Sequence, residues 1–143
     1  MNSTLRDKLE EYFAKYPTLR GEGVSDTDID EASRLIHRPI PLTYRDFLRM
    51  YGAAVVGPYP IFGLQRVAAM GNSSWSVVDM NADKSRRWPG TEGWLIISED
   101  LAGNPIGLDS DERVLIADFE LGTGVGEYAK DFESFLLRAL GGM

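Results

Sequence analysis

The stretch WLIISEDLAGNPIGLDSDERVLIADF, residues 94–119, decides the fold class. Trp94-Leu95-Ile96-Ile97 is a short, β-branched-rich apolar run and predicts a strand. Asn104 to Leu108 predicts a second, reached through the turn Glu99-Asp100-Leu101-Ala102-Gly103. Arg113 to Phe119 predicts a third, reached through Asp109-Ser110-Asp111-Glu112. Connections this short join antiparallel neighbours, because a parallel crossover needs a dozen or more residues. The core of the chain is therefore an antiparallel meander.

Upstream of this run the apolar spacing is helical. Leu5, Leu9, Tyr12, Phe13 and Tyr16 share one helical face, with Thr4-x-x-Asp7 in capping-box register. Pro17 and Gly21 to Gly23 end that helix. A second begins at Ser25, with Asp26, Asp28, Asp30 and Glu31 in its first turns, where the helix dipole favours negative charge. Ile29, Ala32, Leu35 and Ile36 supply its apolar side. Pro39 and Pro41 break it, and Pro41 opens a third helix. There Tyr44, Phe47, Leu48 and Tyr51 recur at i, i+3, i+4, i+7, with Gly52 as the cap. Val55-Val56 and Ile61-Phe62, around Gly57-Pro58-Tyr59-Pro60, read as strand, turn, strand. Ser74 to about Arg87 reads as a helix with Trp75, Val78 and Met80 facing inward. Beyond a glycine-rich loop, Phe132, Phe135, Leu136, Ala139 and Leu140 form a last amphipathic helix, capped by Asp131 and ended by Gly141-Gly142. Clustered strands with helices before and after them predict an α+β fold, one domain over residues 1–143, with a largely antiparallel sheet packed against helices.

Composition narrows the function classes. The 143 residues include no cysteine and one histidine. Disulfides, thiolate metal sites and cysteine nucleophiles are excluded, and any histidine-based triad would have to use His37. His37 reads as a structural or surface residue at the end of the second helix. No apolar run follows Met1, and none approaches the ~20 residues of a membrane span, so a cytoplasmic location is expected. The net charge is −7, which argues against contact with a phosphate backbone and favours a basic protein partner. The same charge also serves solubility alone.

Three motifs suggest chemistry without completing it. Asp26-x-Asp28-x-Asp30 has the opening of a calcium loop, but Glu31 replaces the required glycine and His37 the last ligand. Gly122-Thr123-Gly124-Val125-Gly126 looks like a phosphate cradle, yet lacks the lysine of a P-loop and the βαβ context of a dinucleotide site. It reads as a surface loop. No cofactor and no metal are expected. From Glu99 to Glu133, ten acids stand against two bases, Arg113 and Lys130. They are either solvated turns or an acidic surface able to cover a cationic groove. On the second alternative the contact set is Glu99, Asp109, Asp111, Glu112, Asp118 and Glu120. Trp88, in Arg86-Arg87-Trp88-Pro89, is expected to be partly exposed and is either core or an interface anchor. Trp94 is expected in the core, and Trp75 more in the core than at an interface.

Four segments, taken in order, also carry a resemblance. They are Ile40-Pro41-x-x-Tyr44-x-x-Phe47-Leu48-x-x-Tyr51-Gly52, then Ile61-Phe62-Gly63-Leu64, then the hairpin from Trp94 to Asp109, then Asp131-Phe132-Glu133-Ser134-Phe135-Leu136. Their order and spacing resemble the SUKH superfamily, bacterial immunity proteins with eukaryotic cell-wall-regulator relatives. The resemblance implies a non-enzymatic antitoxin that binds a cognate toxin domain, often a nuclease or other nucleic-acid-modifying enzyme, and blocks its active site. Two other classes remain open. One is a general interaction module with a non-toxin partner; the other is a small-ligand binder or weak enzyme using the glycine loop.

Overall fold

A computed structural model describes residues 1–71, 75–82, 84–118 and 124–141. Helix α1 (Ser3–Lys15) starts two residues earlier than the capping-box spacing predicts. Asn2, not Thr4, is the cap, its side chain accepting from the Thr4 and Leu5 N–H groups. Helix α2 (Asp26–Ile36) is capped by Ser25, whose hydroxyl accepts from Asp28 N–H. It ends at His37, which takes a left-handed conformation at φ 63°. Helix α3 (Leu42–Tyr51) follows Pro41 and ends at Gly52, φ 72°. Its four predicted inward residues, Tyr44, Phe47, Leu48 and Tyr51, are all buried.

Six strands follow in chain order: β1 (Ala54–Val56), β2 (Tyr59–Ile61), β3 (Leu95–Glu99), β4 (Pro105–Leu108), β5 (Val114–Asp118) and β6 (Gly124–Ala129). They form one sheet ordered β1-β2-β3-β4-β5-β6, every pair antiparallel. Between β2 and β3 lie α4 (Val77–Ala82) and the single turn α5 (Lys84–Arg87), and α6 (Phe132–Gly141) closes the chain. This is the predicted α+β class.

Two local expectations are corrected. Of the helix placed from Ser74 to about Arg87, the described helical residues are Val77–Ala82 and Lys84–Arg87; Val77, Met80 and Asn81 are buried, while Trp75 precedes α4 and is half-buried. The glycine-rich segment placed in a loop is strand β6 from Gly124 onward; Gly122 and Thr123 lie outside the described residues. Glycine has poor strand propensity, but pairing with β5 from Asp118↔Gly124 to Val114↔Ala129 overrides it.

Burial grades across the sheet. Leu95, Ile96, Ile97 and Ser98 on β3 and the whole of β4 are buried, so the centre is covered on both faces; β6 is exposed over its first four residues. Helix α6 packs against α1, α3, β1 and β6, and α4 packs against α2 and β3. Aromatic rings bind the layers: Phe132 meets Tyr44 and Phe47 edge-on at 5.5 and 5.7 Å. The buried Tyr44 hydroxyl donates to Phe62 O at 2.5 Å.

Two features hold the sheet where its ladder is incomplete. Strand β2 meets β3 through one register pair, Ile61↔Ser98, followed by Phe62 N–H donating to Ile97 O at 2.8 Å. Next to that contact, the buried Asn81 side chain takes the place of a missing strand residue. Its Oδ1 accepts from Ile96 N–H at 2.8 Å, and its Nδ2 donates to Ile96 O at 2.9 Å and Val77 O at 2.7 Å. Gly63 sits where a Cβ would lie 1.8 Å from Gly52 O, so only glycine fits the crossing of these backbones.

Candidate functional site

The β4–β5 turn carries three of the predicted contact acids, and they have different roles. Asp109 is committed to the turn itself. Its Oδ1 accepts from the N–H groups of Asp111 and Arg113, both at 2.9 Å, and its Oδ2 takes the Arg113 guanidinium at 2.8 and 2.9 Å. Burial opposes ionisation, but those backbone donors and the guanidinium outweigh it and hold the carboxyl below its ordinary range. Glu112 is fixed in a left-handed conformation at φ 64°. With Asp109 holding the loop, Asp111 and Glu112 stand exposed at its tip.

Beside the turn runs the loop joining α2 to α3. Arg38 ties it to the sheet, donating to Gly93 O at 3.1 Å and Leu108 O at 3.4 Å. Desolvation lowers the Arg38 pKa, and the Asp109 carboxylate works in the opposite direction. Between loop and turn lies an open cleft of about 640 Å³, walled by Pro39, Pro41 and Leu42 on one side and by Asp109, Ser110 and Glu112 on the other. Leu42 is 75% exposed. Turning 100° per residue puts it ~200° from Tyr44, away from the buried face of α3, a phase legible in the sequence. Exposed apolar surface beside fixed carboxylates suits a partner face that mixes apolar and basic side chains.

The remaining acids are not brought to this place. In a meander, successive turns alternate between the two ends of the sheet. Glu99 closes β3 and Asp118 closes β5, both at the end opposite Asp109–Glu112. About five residues of strand, ~17 Å, separate the two groups. Glu99 is half-buried; desolvation raises its pKa, Arg87 opposes this and Asp100 adds to it. Asp100 is a second turn clamp: its Oδ1 accepts from Ala102 N–H and Asn104 N–H, both at 2.9 Å. Glu120 lies outside the described residues.

Trp88 departs from the exposure expected of it. It is 7% exposed, its ring lies 4.7 Å from the Arg87 guanidinium, and its carbonyl accepts from the Thr91 hydroxyl at 2.7 Å. It packs with the core, as Trp94 does. The following turn is closed on the Trp88 carbonyl by Thr91, which local spacing does not reveal.

The other motifs resolve into structure. Asp26 and Asp30 accept from Arg45 at 2.9 and 2.5 Å, and Asp26 from Arg49 at 2.7 Å, which joins α2 to α3. The Arg49 hydrogen bond chiefly lowers the Asp26 pKa; desolvation opposes it, and Arg45 adds to the lowering. His37 serves as the left-handed end of α2. No helix among the described residues is long and apolar enough to cross a membrane.

Among curated proteins, none matches this sequence. A model of one family does match, from residue 23 to residue 138. The matched span takes in α2, the proline-led helix α3, all six strands and most of α6, and so the element order and the four motif segments agree with it. The chain belongs to the SMI1/KNR4 family (SUKH-1).

Proposed function

We propose that this chain is an immunity protein that binds a cognate bacterial toxin domain and neutralises it by covering its active site. The toxin is of a basic, nuclease-like or other nucleic-acid-modifying type. The protein acts in the cytoplasm, by occupancy and not by catalysis. Family membership supports the class of function. One observation carries the choice of surface: the exposed Asp111 and Glu112, held by the Asp109 clamp beside the Leu42 cleft. A rigid acidic tip costs little conformational entropy on binding and mimics the negative charge that a phosphate-binding groove attracts.

The test has two readouts. Co-expression with toxin domains encoded beside the chain should restore growth. Asp111→Lys/Glu112→Lys should slow association with the rescued toxin about tenfold or more while the melting temperature stays the same. No rescue by any neighbouring domain, with non-toxin proteins captured instead, would assign the chain to the general interaction modules. Rescue with an unchanged association rate would place the toxin contact elsewhere on the protein.

A further inference from the structure

Leu101 is the most exposed large apolar residue among those described, at 92%. The β3–β4 turn that carries it is held firmly. Asp100 Oδ1 accepts from Ala102 N–H and Asn104 N–H, its Oδ2 accepts from the Asn104 amide, and its N–H donates to Asn104 O. A leucine kept in water by a clamped turn loses little conformational entropy when a partner covers it. Leu101 also lines a hollow of about 320 Å³, whose other walls are Pro58, Tyr59, Asp100 and Ala102. Pro58 and Tyr59 wall a second hollow as well, of about 150 Å³, closed by Tyr128, Arg138 and Ala139. The β1–β2 turn is thus a ridge between two hollows, with an apolar knob beside one of them.

Each hollow holds one charge, and the two are opposite. Arg138 stands in the smaller, stacked on Tyr128 at 4.0 Å. Asp100 stands in the larger. Tyr59, on the ridge, feels both with opposite sign. A two-fold axis through the ridge exchanges the hollows. It brings Leu101 and Asp100 of one copy onto the Arg138 hollow of the other, and the reverse contact forms at the same time. An apolar volume of about 150 Å³ takes a benzene-sized group, so a leucine side chain can enter it. The patch is therefore complementary to itself in shape and in charge. A basic partner gains nothing from one charge of each sign. The acidic Asp111 and Glu112 do not oppose a second copy here, because their turn is at the other end of the sheet. At physiological salt, charges more than about 8 Å away are largely screened.

We infer that the Pro58–Tyr59 ridge and Leu101 form a homodimer interface, in which Leu101 of each copy enters the Tyr128–Arg138 hollow of the other and Asp100 meets Arg138 across the two-fold axis. The inference is independent of the immunity reading. The test is sedimentation velocity of the full chain over a dilution series. The parent should show a monomer–dimer equilibrium. Leu101→Glu should weaken it at least about tenfold by putting a charge into the apolar hollow. Arg138→Glu should do the same by setting a carboxylate against Asp100 at both symmetric contacts. Leu101 is almost wholly exposed, so the thermal midpoint of Leu101→Glu should match the parent's. The chain has no cysteine, so Pro58→Cys puts a single thiol on the ridge. Mild oxidation should join two copies of that variant, because residues at a two-fold axis come within disulfide reach, while Asp111→Cys should stay unlinked. A parent that remains monomeric up to about 1 mM overturns the inference. So does a dimer of unchanged affinity in either glutamate variant, or oxidation that links the Asp111→Cys chain in preference to the Pro58→Cys chain.

Discussion

Asn81→Ala should be among the most destabilising single changes on α4. The side chain makes three hydrogen bonds, two of them to the buried backbone of Ile96 at 2.8 and 2.9 Å. Truncation leaves the Ile96 N–H and C=O facing the side from which β2 has already departed. Each orphaned buried group costs about 1–3 kcal/mol. The gain in helix propensity from asparagine to alanine returns about 0.6 kcal/mol. The net loss is ~3 kcal/mol. In urea, with m of about 2 kcal/mol/M, the midpoint should fall by ~1.5 M at unchanged m. Asn81→Asp refines the test. An ionised carboxylate accepts only, so it would face the carbonyls of Val77 and Ile96 without a donor, and the fold would favour its protonated form. Its folded-state pKa would be raised, so the deficit relative to the parent should be smallest at acid pH and grow as pH rises through that value. A loss below ~1 kcal/mol for Asn81→Ala, or a pH-independent deficit for Asn81→Asp, would refute the view that this amide continues the ladder.

Gly63→Ala should cost more than about 2 kcal/mol, because the added methyl meets backbone at Gly52 and not a yielding side chain; thermal unfolding measures it. Asp109→Ala should cost about 1–2 kcal/mol at neutral pH by freeing the β4–β5 turn. The Asp109 pKa is depressed in the fold, so its contribution is present above the ordinary carboxylate pKa and lost as pH falls below it. Parent and variant denaturation midpoints should therefore converge in acid. Tyr59 is pushed up to about 12, by desolvation first and by its hydrogen bond with Tyr128 second. Spectrophotometric titration should show Tyr59 among the late phenols of the parent, with Tyr51 also delayed by burial and the fully buried Tyr44 later still. The stability that Tyr59 contributes should be complete below about pH 10 and decline as pH approaches 12; in Tyr128→Phe the transition should move down.

What could be read from the sequence was whatever a short window determines. The spacing Tyr44, Phe47, Leu48, Tyr51 dictates a buried helical face by itself, and the caps at Ser25, Gly52 and Asp131 follow from local hydrogen bonding. Strand β6 was not legible, because Gly124 and Gly126 carry no strand signal and their partners, Asp118 and Ile116, are six and ten residues away. Thr4 and Asn2 are both good caps; the fold uses Asn2, whose N–H donates to Glu133 Oε1 while the neighbouring Met1 amino group pairs with Asp46, contacts no local window contains. The acidic set was legible as composition but not as a surface. Glu99 and Asp118 separate from Asp111 and Glu112 because alternate turns of a meander point opposite ways. Carboxylates at Asp100 and Asp109 that look available in sequence are taken up by their own backbones.

The strand order of the sheet is also the order of synthesis. Each strand after the first finds its neighbour already made, so the meander can zip from β1 towards β6 without waiting for distant sequence. The helical layer is different. Phe132 and Phe135 complete ring contacts with Tyr44, Phe47 and Tyr59, and Asn2 N–H reaches Glu133 Oε1 at 2.7 Å. Those contacts join the first residues of the chain to nearly the last. A nascent chain stopped before α6 would thus hold a zipped sheet with an open aromatic seam, and its exposure to proteases and chaperones would end only when the final ten-residue helix docks.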